Sequence, residues 1–102
     1  MQRSSFVGYI GDADFHDGSI LTVDRRGDAV RVRVRGASGK TFIVDFGGVS
    51  AMRANQPEGM LLYALSEMTG KPPLRRFVFA NWDDDSKARL EVDAASFSIS
   101  TE

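Results

Sequence analysis

The chain has 102 residues and no cysteine, and its 13 basic residues balance 14 acidic ones to a net charge of −1. This excludes disulfides, thiolate nucleophiles and cysteine-ligated metals, and it withholds the basic excess of a dedicated nucleic-acid binder. One domain spanning 1–102 with a single core is expected at this length. The stretch "MQRSSFVGYIGDADF" lacks a continuous apolar h-region and does not read as a signal peptide. No run approaches the length of a membrane span, so a cytoplasmic protein is expected.

The first candidate for chemistry is "DADFHDG", residues 12 to 18, where Asp12, Asp14, His16 and Asp17 crowd together. Carboxylates and imidazole are ordinary metal ligands, and one alternative function is a metal-dependent hydrolase built on this cluster. The spacing fits poorly. His16 and Asp17 fall where a calcium loop wants an oxygen ligand and a glycine, Val23 where it wants glutamate, and His16 is the only histidine for a zinc site. The reading preferred here is a turn, with Asp side chains bonding local backbone, Gly18 permitting the sharp approach to a strand, and His16 packed at a sheet edge against a carboxylate or carbonyl. No metal or other cofactor is expected.

Three strands are predicted next: "SILTV" (19–23), "AVRVRV" (29–34) and "TFIVDF" (41–46), separated by the turns "DRRGD" and "RGASGK". The alternation sets the register, because a slip by one residue turns a whole apolar set outward. Val30, Val32 and Val34 should face Phe46, Val44 and Phe42, with Arg31 opposite Asp45 on the other face. In the preceding hairpin Val23 and Leu21 should meet Val30 and Val32. Arg31, Arg33 and Arg35 then form a row with a spacing of roughly 6.5–7 Å, close to the phosphate repeat of a nucleic-acid strand. Arg75, Arg76, Arg25 and Arg26 add basic points. With acidic residues opposite, the row reads first as a solvated sheet face, then as a protein-partner surface, and last as a nucleic-acid grip.

Residues 51–56 are the place for a short helix, with 59–68 the other candidate. "GMLLYALSEM" (59–68) suits a helix by residue type, but "TGKPP" and the strand-like "RRFVFANW" after it favour a hairpin. As a strand it would carry Leu61, Tyr63 and Leu65 on one face. The 77–80 segment is apolar on both faces, so that strand should be central or covered on both sides. Trp82, Phe77, Phe79, Tyr9 and Tyr63 are candidates for a stacking platform, although strand aromatics usually belong to the core. The three aspartates of "NWDDDSK" (81–87) read as a solvated turn rather than a cation site. In "ARLEVDA", Leu90, Val92 and Ala94 share a face, while Phe97 and Ile99 continue in the wrong parity. Either a bulge near 94–96 or a crossing between sheets repairs this.

The expected fold is mainly β: six to seven antiparallel strands in meander order, forming a sandwich or half-open barrel with at most one short helix. No nucleophile-and-base set or phosphate loop appears, so a non-enzymatic role is expected. The segments "FHDG" (15–18), "GKTFIVDFGGV" (39–49), "PEGMLLYALSE" (57–67) and "FVFAN" (77–81) resemble a group of small uncharacterised bacterial β-rich proteins. In these an aromatic-His-Asp stretch opens an antiparallel sheet, and some are suspected immunity-type proteins. The resemblance implies a β-rich fold that binds another protein; it singles out His16, Asp17 and Gly18 and brings no catalytic residues. The function expected is therefore protein binding or self-association through an exposed sheet face or edge, with nucleic-acid binding by Arg31, Arg33 and Arg35 as a further alternative.

Overall fold

The computed structural model describes residues 6–83 and 86–102. Its strands are β1 (Phe6–Tyr9), β2 (Ser19–Arg26), β3 (Ala29–Arg35), β4 (Thr41–Gly47), β5 (Ala51–Asn55), β6 (Leu62–Met68), β7 (Arg75–Asn81), β8 (Arg89–Ala94) and β9 (Ser96–Thr101). A single 3-10 turn, Ala13–Phe15, is the only helical element among the described residues. Two antiparallel sheets pack face to face, one in the order β1-β6-β7-β8-β5 and the other β2-β3-β4-β9.

The valine–arginine alternation behaves as a half-buried strand must. Val30 pairs with Phe46, Val32 with Val44 and Val34 with Phe42, all buried, and Arg31 stands opposite Asp45. The preceding hairpin departs from expectation. Strand β2 continues to Arg26, and Gly27 and Asp28 alone make the turn, with Gly27 at φ 59°. This moves the pairing by two residues, so Val23 meets Val32 and Arg25 meets Val30. A bulge between Ile20 and Thr22 then places Ile20, rather than Leu21, opposite Val34 and in the core.

Strand β6 is a strand, as the hairpin reading requires, but its faces differ from the simple alternation. A register shift between Leu62 and Ala64 lets Leu62 and Leu65 both point inward. Leu61 and Tyr63 are left outside, 56% and 40% exposed. The turn to β7 carries a cis Pro72-Pro73 peptide. Strand β7 lies between β6 and β8, with Phe77 and Phe79 in the core and Val78 and Ala80 half-buried on the other face.

Three further departures complete the topology. The expected helix at 51–56 is strand β5, which pairs Met52 with Val92 and sets Arg53 opposite Glu91. Among the described residues the strands number nine, because β1 and β5 join sheet edges from distant parts of the chain. Only β2-β3-β4 and β6-β7-β8 run as meanders. Of the two repairs offered for the parity change near 94–96, the crossing occurs: β8 belongs to one sheet and β9 to the other.

The core lies between the sheets. Phe46 sits 5.0 Å from Phe77 and 6.0 Å from Phe79, centroid to centroid, and Phe77 meets Phe97 at 5.1 Å. Burying a side chain of this size contributes about 1.5–3 kcal/mol, which is why the apolar parity dictates which face turns inward. One side of the sandwich is laced by backbone bonds, Leu62 N–H to the Gly18 carbonyl at 2.9 Å and Ile20 N–H to the Met60 carbonyl at 3.0 Å. Among the described residues the sheets do not close into a barrel.

Candidate functional site: an exposed aromatic face

The arginines named in the sequence do not form one surface. Arg31 grips Asp45 with two parallel bonds, Nε to Oδ1 at 2.8 Å and Nη2 to Oδ2 at 3.1 Å, and Arg33 pairs with the Glu102 carboxylate. Arg35 stands between Ser19 and Thr41. These three line the outside of the four-stranded sheet. Arg75 and Arg76 belong to the other sheet and, being adjacent on a strand, point to opposite faces. Arg75 lies at the mouth of the sandwich, its guanidinium 5.2 Å from the Phe77 ring and 5.1 Å from the Phe97 ring while it holds Glu67 at 2.6 Å. Arg76 reaches Asp93 at 3.0 Å on the outer face.

The 12–18 cluster is drawn apart by its own turn. Asp12 caps the 3-10 turn by accepting the Asp14 N–H at 2.9 Å. Asp14 turns away to the 36–39 turn, accepting the Ser38 N–H at 3.0 Å and the Ser38 hydroxyl at 2.7 Å. Asp17 takes the left-handed conformation at φ 67° and its N–H donates to the Leu62 carbonyl. Gly18 itself serves close approach: a Cβ there would lie 2.5 Å from the Arg35 carbonyl oxygen. His16 Nδ1 lies 3.3 Å from the Tyr63 carbonyl oxygen, so the ring packs at the sheet edge against a carbonyl. Among the described residues no group of three or more His, Asp or Glu side chains is placed to hold a metal ion. Of the "NWDDDSK" aspartates, Asp83 bonds back to the Asn81 side chain through its N–H at 2.9 Å, and Asp84 and Asp85 lie outside the described residues.

What the turn does instead is deliver His16 to a group of aromatic side chains. Its ring lies 5.3 Å from Tyr63 and 5.1 Å from Trp82, and Tyr63 and Trp82 are 5.1 Å apart. Tyr9 joins at 6.3 Å from Tyr63, and Phe6 at 4.9 Å from Tyr9. The Tyr63 phenol raises the pKa of the Tyr9 phenol above its ordinary value. The backbone N–H of Trp82 donates to the Leu61 carbonyl at 3.2 Å, which ties this position to the segment entering β6. Phe6, Tyr9 and Trp82 are 55%, 63% and 44% exposed. A surface hollow of about 380 Å³ opens beside them, lined in part by Tyr9, Asp12, Ala13, His16 and Tyr63.

The sequence named Tyr9, Tyr63 and Trp82 together with Phe77 and Phe79 as a platform. The structure sends the two phenylalanines into the core and brings in His16 and Phe6. Parity carried part of the signal, since Trp82, just past the end of β7, is an odd number of residues from Phe77 and Phe79. The rings meet at interplanar angles from 61° to 81°, edge to face, so they do not make a flat stacking strip.

The rest of this outer face is charged and internally paired. Arg53 bonds Glu91 at 3.1 Å and Asp93 at 3.0 Å, Arg76 bonds Asp93, and Arg89 bonds Glu91 at 2.7 Å. Burial pushes the Asp93 and Glu91 carboxyls up, but the hydrogen bonds from these arginines outweigh it and hold both below their usual range. The five-stranded sheet therefore shows water a satisfied ion-pair ladder over β5 and β8, and an aromatic cluster over β1, β6 and the end of β7.

Fold and surface together define a two-sheet antiparallel sandwich with one aromatic outer face. Comparison with protein-family models, curated proteins and solved structures finds no match. No helix of the described residues is long and apolar enough to cross a membrane.

Proposed function

We propose that the chain is a non-enzymatic, cytoplasmic protein-binding module whose contact surface is the aromatic face of Phe6, Tyr9, Tyr63 and Trp82, with His16 packed against Tyr63 and Trp82. The observation that carries this reading is the convergence of large apolar side chains on an exposed sheet face. Such side chains ordinarily turn inward, and contiguous exposed apolar surface marks interaction sites. Tyrosine and tryptophan also dominate the energetic centres of protein interfaces. Asp12 lines the hollow together with Tyr9, His16 and Tyr63 and gives it an acidic side, so the partner it suits presents an apolar side chain flanked by lysine or arginine. The immunity-type role implied by the resemblance is one instance of this reading.

Trp82 is the sole tryptophan, so the surface carries its own reporter. Its fluorescence should shift saturably with a short amphipathic peptide bearing Lys or Arg beside Leu or Phe, less so at high salt, and little with the Glu/Asp analogue. Tyr63→Ala should abolish the response with the fold intact. Equal responses to basic and acidic peptides, or no response to either, would overturn the proposal.

A further inference from the structure

Four strands stand at the edges of the two sheets: β1, β5, β2 and β9. An open edge offers unpaired backbone groups to any other strand, and proteins blunt such edges with charge, proline, glycine, bulges or cover. Three of these edges are blunted. Strand β1 has only 4 residues and breaks register between Phe6 and Gly8. Strand β5 carries Arg53 within the ion-pair ladder. Strand β2 is laced to 59–62 near its start, is capped by Glu58 Oε2 on the Val23 N–H at 3.1 Å, and ends in Asp24, Arg25 and Arg26. Among the described residues strand β9 has none of these devices: "SFSIST" holds no charge, proline or glycine, and it pairs without a break from Ser96 to Thr101.

The backbone of β9 also has a defined outward side. The Glu102 N–H donates to the Thr41 carbonyl at 3.0 Å, one step beyond the Phe42–Thr101 pair of the β4–β9 register. Antiparallel pairs alternate between bonded and non-bonded, so Ser98 and Ser100 bond β4 while Phe97, Ile99 and Thr101 turn their N–H and C=O groups outward. Among the described residues no hydrogen bond reaches those outward groups.

We propose that β9 is a self-association edge, taking β9 of a second copy antiparallel about a two-fold axis at Ile99. In this register Ile99 faces its own copy and Phe97 faces Thr101 of the second copy, so every outward group finds a partner, giving roughly six backbone bonds. Neighbouring registers leave some of them unpaired. On the core side, half-buried Ile99 would meet its counterpart and half-buried Phe97 would cover Thr101 of the second copy, which extends the apolar layer. On the outer side Ser98 would face Ser100 of the second copy, so no like charges oppose the seam. A surface used this way on both copies is self-complementary, as a two-fold dimer requires. The inference is independent of the aromatic face, which lies on the other sheet.

Sedimentation velocity on the full chain, from roughly 5 to 500 µM, should show a monomer–dimer equilibrium, because an edge contact is small and therefore weak. The amides of Phe97, Ile99 and Thr101 should exchange slowly only at high concentration, whereas those of Ser98 and Ser100 stay protected throughout. The double variant Ser98→Lys and Ser100→Lys sets lysines opposite each other across the seam and should weaken the dimer about tenfold or more. Thr101→Pro removes one outward donor without touching the β4 ladder, and it should weaken the dimer even if the lysine variant folds poorly. Tyr63→Ala should leave the dimer unchanged. A monomer at every concentration would overturn the proposal, as would a dimer that survives in the folded variants.

Discussion

Truncating Phe46 tests the fold and the aromatic face together. Phe46 is 2% exposed, faces Val30 and Phe97 across its two neighbouring strands, and meets Phe77 and Phe79 across the sandwich. Phe46→Ala removes the ring from the centre of both sheets and leaves a cavity that flat, hydrogen-bonded sheets cannot readily close. The expected cost is about 3–5 kcal/mol, a large part of the 5–15 kcal/mol typical of a domain. That corresponds to a drop of roughly 15–30 °C in melting temperature for a chain of this size. Tyr63→Ala deletes a ring with three aromatic neighbours, but at 40% exposure its cost should be about 1 kcal/mol or less. Urea unfolding followed by circular dichroism measures both. A Phe46→Ala cost under about 1 kcal/mol would refute the packing. A Tyr63→Ala cost matching that of Phe46→Ala would make the aromatic cluster a second small core rather than a docking face.

Further outcomes follow from the polar side of the structure. The lowered carboxyls of Asp93, Glu91 and Glu67 mean that their contribution to stability is fully present above the unfolded-state values, roughly 3.9 for Asp and 4.3 for Glu, and is lost as pH falls through the folded ones. Asp93→Asn should therefore cost about 1–2 kcal/mol at neutral pH and converge on the parent as the acid is protonated, so a gap that stays constant down to pH ~3 would contradict the ladder. The Thr22 hydroxyl is buried and has no hydrogen-bond partner among the described residues, so Thr22→Val should stabilise the chain by about 0.5–1 kcal/mol in the same urea assay, and a loss of stability would show that the hydroxyl is satisfied. Gly18→Ala would drive a methyl against the Arg35 carbonyl and should cost about 2 kcal/mol or more, whereas a neutral result would mean that the 15–18 turn yields freely. Arg31 and Arg33 are paired with Asp45 and Glu102, so the chain should pass heparin at physiological salt, and firm retention would return the arginine row to contention.

The stretch from Ala29 to Phe46 was fully legible in the sequence. A strand has a period of two, and only one pairing of β3 with β4 buries every valine and phenylalanine at once, so Val32 inside and Arg31 beside Asp45 were fixed before any tertiary contact was known. The face assignment of Leu90, Val92 and Ala94 followed from the same rule. Alternation fails wherever one residue is added to one strand alone. The bulges at Ile20/Thr22 and Leu62/Ala64 chose Ile20 over Leu21 for the core and left Tyr63 outside, because packing between the sheets, not local pattern, decided which side chains the core could hold.

Strand order escaped the sequence for a related reason. Nothing local in "AMRAN" or "FVGY" says which distant edge each will join, and those edges are built by β8 and β6, far away in the chain. The candidate site depends on that choice. Tyr9, His16, Tyr63 and Trp82 are single residues in four separate segments, and only the pairing of β1 with β6, the turn at 12–18 and the end of β7 bring them together. The sequence by itself determined which faces of β3, β4 and β8 are wet and which are dry, because on an unbroken strand that is a matter of period and free energy of transfer. Tertiary structure alone decided which wet faces carry aromatic rings and which strand edge stays open, because both depend on contacts between residues that the chain keeps far apart.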